Sequence, residues 1–213
     1  MALITSLNTG LPTQLEGPER WSSGIYKQPV LGRVSLSSTN LAGDGQGDLS
    51  VHGGPNKAVC VYSIDHYPFW RQELRVEECG PGWFGENFSV EGQDEKSVAV
   101  GDTYRVGTAL VQISQPRAPC ARLARRWNRP DMPKLVVGTG RTGWYLRVLE
   151  AGDVECGDAL TLVDRPFPLW TIDAVNAAAY SRGGKADVEV ARALADCPAL
   201  SESWRRGFNK VVE

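Results

Sequence analysis

A cysteine set in stiff backbone beside guanidinium groups has the chemistry of a nucleophile or a metal ligand. Cys120 is such a residue, in the run Gln115-Pro116-Arg117-Ala118-Pro119-Cys120. Each proline locks its own φ and pushes the residue before it to an extended shape. The alternating run 109–114 ahead of this segment reads as a strand. Ala121-Arg122-Leu123-Ala124-Arg125-Arg126-Trp127 behind it reads as a short basic helix. Cys120 is therefore expected at a helix N-terminus with Arg117 and Arg122 nearby, and both features favour thiolate over thiol. A thiolate is a soft ligand and a nucleophile. The competing role, a small buried apolar group, is the commonest one for a free cysteine, and local sequence leaves both open.

Other chemistry-bearing residues lie in a glycine-rich, acidic stretch from Leu41 to Val59 that contains Gly43-Asp44-Gly45-Gln46-Gly47-Asp48 and Val51-His52-Gly53-Gly54-Pro55-Asn56-Lys57-Ala58. Loops this long without structure of their own are often functional. His52 and His66 are the two histidines. With Cys60 and Cys79 they invite a zinc site, but the spacings fit neither C-x-x-C nor H-x(3–5)-H, and zinc is rejected. Gly138-Thr139-Gly140-Arg141-Thr142-Gly143 matches the dinucleotide fingerprint G-x-G-x-x-G, with Asp164 about 20 residues on. That fingerprint needs a helix to start at its third glycine. Trp144-Tyr145-Leu146-Arg147-Val148-Leu149 is aromatic and β-branched instead, so the match is read as false.

The elements that must position these residues are mostly strands. Residues 2–7, 58–62, 98–100, 104–106, 109–114, 143–149 and 159–163 read as short strands, 85–90 as a turn into a strand, and 22–34 as further short strands broken by turns. Gly152-Asp153 and Gly157-Asp158 read as turns, and 133–137 is ambiguous. Ser63 can cap a helix over 64–74. Eight or more short strands fit a closed barrel. Pro166-Phe167-Pro168 then marks a boundary, so the chain divides into residues 1–165 and 166–213. Beyond it the period becomes helical: Thr171 caps 172–180, Gly183-Gly184 stop it, Asp187 caps 188–195, and Leu200, Trp204 and Phe208 share one face of a third helix.

Composition sets the outer bounds. Twenty-three Gly and 13 Pro in 213 residues exceed the roughly 12% usual for the two together, as expected of a turn-rich β chain. The formal net charge of −2 gives no overall nucleic-acid footprint. Five scattered cysteines do not form a disulfide pattern. The N-terminus has neither a basic flank nor a long apolar core, and no apolar run is long enough to cross a membrane. A reducing cytoplasm is the expected setting.

Taken together, the two loop motifs, Gly85-Glu86-Asn87, Gly101-Asp102 with Arg105 and Gly107, Ser114 to Cys120, and Gly143 to Leu149 resemble the MOSC family, named for the C-terminal domain of molybdenum cofactor sulfurases. The likeness covers roughly residues 30–165, and the C-terminal helices resemble the three-helix appendage of the YiiM-like branch. Asn56 departs from the Asp usual after His-Gly-Gly-Pro. The resemblance implies a mainly β fold, a MOSC-type β-barrel with a three-helix appendage, and a molybdenum cofactor of the molybdopterin type. It implies Cys120 as molybdenum ligand and catalytic residue. Lys57, Arg117 and Arg147 are the candidates for phosphate and pterin, and His52, Asn87 and Gln115 for the pterin edge. The implied activity is reduction of N-hydroxylated compounds such as hydroxylaminopurine-type base analogues, fed by a separate, flavin-type electron-transfer partner; a homodimer is compatible. The alternatives are a sulfur-carrier or cofactor-handling module with a Cys120 persulfide, and an inactive barrel. Pyridoxal phosphate is discounted, because nothing here resembles a Schiff-base lysine region.

Overall fold

The computed structural model describes residues 1–15, 21–49, 52–181 and 187–213. Its strands are β1 (Ala2–Thr9), β2 (Thr13–Leu15), β3 (Trp21–Ser23), β4 (Gln28–Pro29), β5 (Val34–Leu36), β6 (Val59–Ser63), β7 (Phe88–Glu91), β8 (Thr103–Val106), β9 (Ala109–Pro116), β10 (Trp144–Glu150), β11 (Gly152–Val154) and β12 (Ala159–Asp164). Its helices are α1 (Tyr67–Leu74), α2 (Ala121–Arg126), α3 (Met132–Thr139), α4 (Ile172–Ala179), α5 (Val188–Ala195) and α6 (Glu202–Val212).

Seven of these strands close into a barrel in the order β1, β12, β8, β9, β10, β6, β7 and back to β1. The closing pair sets Ala2 against Leu160. Every neighbouring pair is antiparallel except β6 and β7, where Val61 stands beside Phe88 in parallel. A parallel pair needs a crossover, and the segment carrying α1 supplies it. Closure removes the free sheet edges on which strands of other chains pair.

Alternation along the strands fills the interior with hydrocarbon. Val59, Val61, Val111, Ile113, Trp144 and Leu146 all lie in one buried cluster. The residues between them face out of the barrel, since successive side chains point to opposite faces. On that outer side a second apolar cluster gathers Tyr62, Trp70, Phe84, Leu123, Met132 and Val136, so α1, α2 and α3 pack against the outside of β6. Tyr62 stacks on Phe84 at 4.7 Å, receives a 2.6 Å hydrogen bond from Trp70 Nε1 and donates one to the Arg141 carbonyl.

The C-terminal helices share the barrel's core: Ile172, Val175, Ala191, Leu194 and Phe208 belong to the same buried cluster as Val100 and Ile113. Their caps are those the sequence suggests. Thr171 Oγ1 accepts from the Ala174 amide at 3.1 Å, and Asp187 Oδ1 accepts from the Glu189 amide at 2.9 Å. The expected stop at Gly183-Gly184 lies outside the described residues.

Three local readings are corrected and one ambiguous stretch, 133–137, is settled. Residues 98–100 are not a strand: Ala99 makes a single bridge to Thr171, and the Val100 amide bonds the Trp170 carbonyl, so this buried run anchors the C-terminal segment. Residues 133–137 lie in α3, begun with Pro133 in its first turn and closed by Gly140 at φ 71°. Gly152-Asp153 are strand, paired with Leu36 and Ser35. The helix expected over 64–74 starts as a 3-10 turn, Ile64–His66, before α1. Gly138 to Gly143 lead from the end of α3 into β10, a helix-to-strand order opposite to that of a dinucleotide fingerprint. No helix among the described residues is long and apolar enough to cross a membrane.

Candidate functional site

The cleft around Cys120 lies against the outer wall of the barrel. Cys60 of β6 and Tyr145 of β10 pair directly and both line it, while their neighbours Val59, Val61, Trp144 and Leu146 point inward. Loops close the rest: the 23–27 segment, the glycine-rich residues 45–47 with 52–53, the turn at 85–87 and the stretch from Arg117 to Arg122. The space inside it open to a water-sized molecule is about 80 Å³.

Each loop is fixed by buried polar contacts. Asp44 is fully buried, forms an ion pair with Lys27, and accepts from the Gly10 amide and from Asn87 Nδ2, both at 2.9 Å. The Asn40 side chain holds the Asp44 carbonyl at 2.7 Å. This clamps the glycine-rich loop to the barrel. At Gly47 the fit is backbone on backbone: a Cβ there would come within 2.5 Å of the Ser22 carbonyl oxygen. The buried Glu86 carboxylate accepts from the Gly82 and Phe84 amides, from Ser89 Oγ and from the Tyr67 hydroxyl. It thereby shapes the turn whose Phe84 carbonyl receives Arg117 Nη2 at 2.6 Å. Arg117 is 7% exposed.

Cys120 is the N-cap of α2, with φ −120° and ψ 167°. Leu123, buried in the second cluster, anchors that helix. Burial by itself raises the thiol pKa. The hydrogen-bonding His52 ring, the Arg117 charge and the first-turn Leu123 amide outweigh it and hold the pKa at about 6. For Cys60 burial wins: it pushes the thiol up to about 11, against the pull of Arg117. Cys79, in the second cluster, is pushed to about 12 by burial and then by Glu86. Cys120 thus differs from these two as a thiolate at neutral pH. Burial also lowers the Lys57 ammonium below its ordinary value. For Arg117 burial works downward, yet Cys60, Tyr145, Cys120 and Glu86 together raise its pKa.

The candidates separate by place. Cys120, His52, Lys57, Arg117 and Asn87 all line this cleft. Asn87 spends both amide protons on Asn8 and Asp44 and accepts the Cys60 amide, so it braces the wall. Gln115 lines a neighbouring cleft under the C-terminal helices. Arg147 does not line this cleft and donates instead to Gln112 Oε1 at 3.1 Å and to the Ala199 carbonyl at 2.8 Å. It faces outward like Tyr145, but two residues further along β10, where residue Ala199 covers it. Three further polar lining residues were not among the candidate site residues. Arg122 reaches the cleft and pairs with Asp48 at 3.4 Å. Tyr145 could have been found from its parity with Arg147. Lys27 carries no local signal, because its buried partner Asp44 is remote in sequence.

The described lining carries four cations, Lys27, Lys57, Arg117 and Arg122, and no carboxylate. Such a lining suits an anion. His52 Nε2 is buried without a hydrogen-bond partner among the described residues, which leaves a polar atom for an entering group. Among those residues no three His, Cys, Asp or Glu side chains gather as they would around a metal ion. Cys120 is therefore the soft donor to consider, as a single protein ligand to a metal brought in by a larger anionic cofactor. The residues present fit a phosphate-bearing metal cofactor.

Comparison with known proteins gives the same outline. The MOSC domain model matches residues 48–161, and the model of the YiiM-like 3-alpha helix domain matches 170–210. The uncharacterized protein YflK of Bacillus subtilis is 43% identical over 208 residues, 97% of this chain and 93% of its own. A protein of Gibberella moniliformis named reductase is 37% identical over 182 residues, 84% of this chain but 31% of its own. The crystal structure of YiiM from Geobacillus stearothermophilus superposes with a TM-score of 0.85 at 35% identity, covering 100% of both chains. The barrel and the helices that follow it are thus matched over the whole chain: the chain belongs to the MOSC domain family, in its YiiM-like branch.

Proposed function

We propose that this protein is an oxidoreductase that binds a molybdenum cofactor in the Cys120 cleft and reduces N-hydroxylated compounds. The observation that carries the reading is a thiolate, held near pKa 6 by His52 and Arg117, in a cleft lined by four cations and no carboxylate. The relative named reductase supports the redox class, and the family model supports the cofactor.

When bound, the cofactor supplies a centre able to take oxygen from nitrogen and to pass electrons in pairs. The chain's own residues do the holding. Cys120 offers a soft, already deprotonated ligand, so binding needs no proton to be removed near neutral pH. Arg117, fixed at one Nη by the Phe84 carbonyl, presents a charge that cannot move away. Lys57 and Arg122 add two further cations to the lining, and a guanidinium grips phosphate through two hydrogen bonds. His52 keeps the sulfur ionised. The Asp44 and Glu86 anchors keep the loops in place around the ligand. Overall the N–O bond breaks, two electrons and two protons are consumed, and amine and water leave. A separate flavoprotein supplies the electrons.

The test is to produce the protein in a host that makes the cofactor, measure bound molybdenum and pterin, and assay reduction of an N-hydroxylated amine with an artificial low-potential donor. Near-stoichiometric metal with turnover, both lost in Cys120→Ser, is the expected result. A persulfide on Cys120 without metal would favour the sulfur-carrier alternative.

A further inference from the structure

A second cleft adjoins the first, and its chemistry differs. It offers about 480 Å³ to water-sized molecules between the barrel wall and the C-terminal helices. One side is aromatic: Tyr180 after α4 and Trp204 and Phe208 of α6. Tyr180 meets Trp204 edge-on at 6.5 Å and 89°, and Trp204 meets Phe208 at 6.2 Å. The inner end is polar. Gln115 is 2% exposed, and its Oε1 is buried without a hydrogen-bond partner among the described residues. Its Nε2 is already donated to the Pro116 carbonyl. A buried carbonyl oxygen left without a donor is costly, so this position suits an arriving donor. Lys57 and Ala118 line both clefts, and Ala118 lies two residues from Cys120.

We infer that this second cleft seats the substrate's ring: a planar, nitrogen-containing aromatic heterocycle that stacks on the Tyr180–Trp204 wall, donates an N–H to Gln115 Oε1, and points its N-hydroxyl past Lys57 toward Cys120. The inference rests on the reductase reading for the direction of the hydroxyl, but the ring site stands on its own geometry. Aromatic faces favour flat rings because stacking offers them large contact at little entropic cost. The lone acceptor selects rings that carry a donor, since a ring without one leaves the Gln115 carbonyl unmatched. The C-terminal helices are thereby the selectivity element, and Gln115 is a specificity-determining residue in the barrel wall.

The pterin of the cofactor shares this chemistry, so the experiment separates the two sources. Fluorescent 2-aminopurine is titrated into the full chain, with and without bound cofactor, and into Tyr180→Ala and Gln115→Met. Tyr180 is partly exposed and Met preserves the bulk of Gln115, so both variants should fold, as circular dichroism would verify. The inference expects affinity to fall about tenfold in Tyr180→Ala and about fivefold in Gln115→Met, with cofactor-loaded and cofactor-free wild type binding alike. Unchanged affinity in both variants overturns it. So does loss of 2-aminopurine binding on cofactor loading, which would give the cleft to the pterin. Normal ring binding in a loaded protein that reduces no N-hydroxylated amine keeps the ring site and removes the reductase reading. Turnover of N-hydroxypiperidine, which has no flat ring, at equal kcat/KM in wild type and Tyr180→Ala, combined with unchanged 2-aminopurine affinity, keeps the reductase and removes the ring site.

Discussion

Tyr145 and Gln115 stand opposite one another across β10 and β9, yet they line different clefts. One cross-strand pair therefore divides the outer wall into a cationic chamber around Cys120 and an aromatic chamber under the C-terminal helices. The two chambers meet at Lys57 and Ala118.

The low Cys120 pKa gives a titration that can be read directly. In the metal-free protein with Cys156→Ser, which removes the exposed cysteine, alkylation by iodoacetamide should rise with a midpoint near pH 6. The sign for stability follows from the same shift. The folded state releases its proton more readily than the unfolded one, so the thiolate's stabilisation is absent below the folded pKa and grows from about pH 6 up to the ordinary thiol value of 9.0. Wild type should gain on Cys120→Ser across that window. His52→Ala should move the alkylation midpoint up by about one unit, the size of one charge-assisted hydrogen bond. A midpoint that stays put would remove His52 from this role.

Arg117 and Arg122 should not be equivalent. Arg117 is buried and fixed to the Phe84 carbonyl, whereas Arg122 is held by a longer contact to Asp48 nearer the surface. Molybdenum and pterin content should drop about tenfold in Arg117→Ala and only about twofold in Arg122→Ala, since exposed charge pairs contribute little. Arg117→Lys should restore little, because an ammonium cannot reproduce the fork. Equal occupancy in the two alanine variants would contradict this ranking.

Gly47→Ala tests the loop. The added methyl would press on the Ser22 carbonyl at 2.5 Å, and overpacking of this kind costs about 1–3 kcal/mol. The loop should lift from the β3 segment, lowering cofactor occupancy while the barrel's near-ultraviolet circular dichroism stays native. A crystal structure with the loop in place would refute it.

Electrons should not come from a nicotinamide directly. The glycine run 138–143 leaves a helix and enters a strand, so no helix N-terminus faces a pyrophosphate there. The loaded protein with NADH alone should show no sustained turnover, and calorimetry should show no micromolar binding. Activity should appear on adding a flavoprotein or an artificial donor.

Local chemistry made part of this site legible. The two prolines, the following helix and the nearby arginines placed Cys120 correctly, because backbone constraint and charge act within a few residues. Alternation found most barrel strands. What failed depends on partners far along the chain. Gly152-Asp153 look like a turn until β5, more than a hundred residues earlier, pairs with them. Residues 98–100 look like a strand, but their backbone groups bond to the C-terminal segment. Arg147 has the right face and the wrong height: parity fixes the side of the wall, and only the path of the chain through Ala199 decides what covers it. Asp44 looked like one acid in a polar loop and proves to be the buried counter-ion of Lys27.

Because the barrel interior is solid hydrocarbon and both clefts sit on its outside, stability and selectivity are written on alternate letters of the same strands. Randomising positions 115 and 145 should yield many folded variants with altered ligand preference, whereas randomising 144 and 146, on the inner face, should yield few that fold. An evolving lineage can therefore explore new ligands along this wall while the wall itself is inherited unchanged.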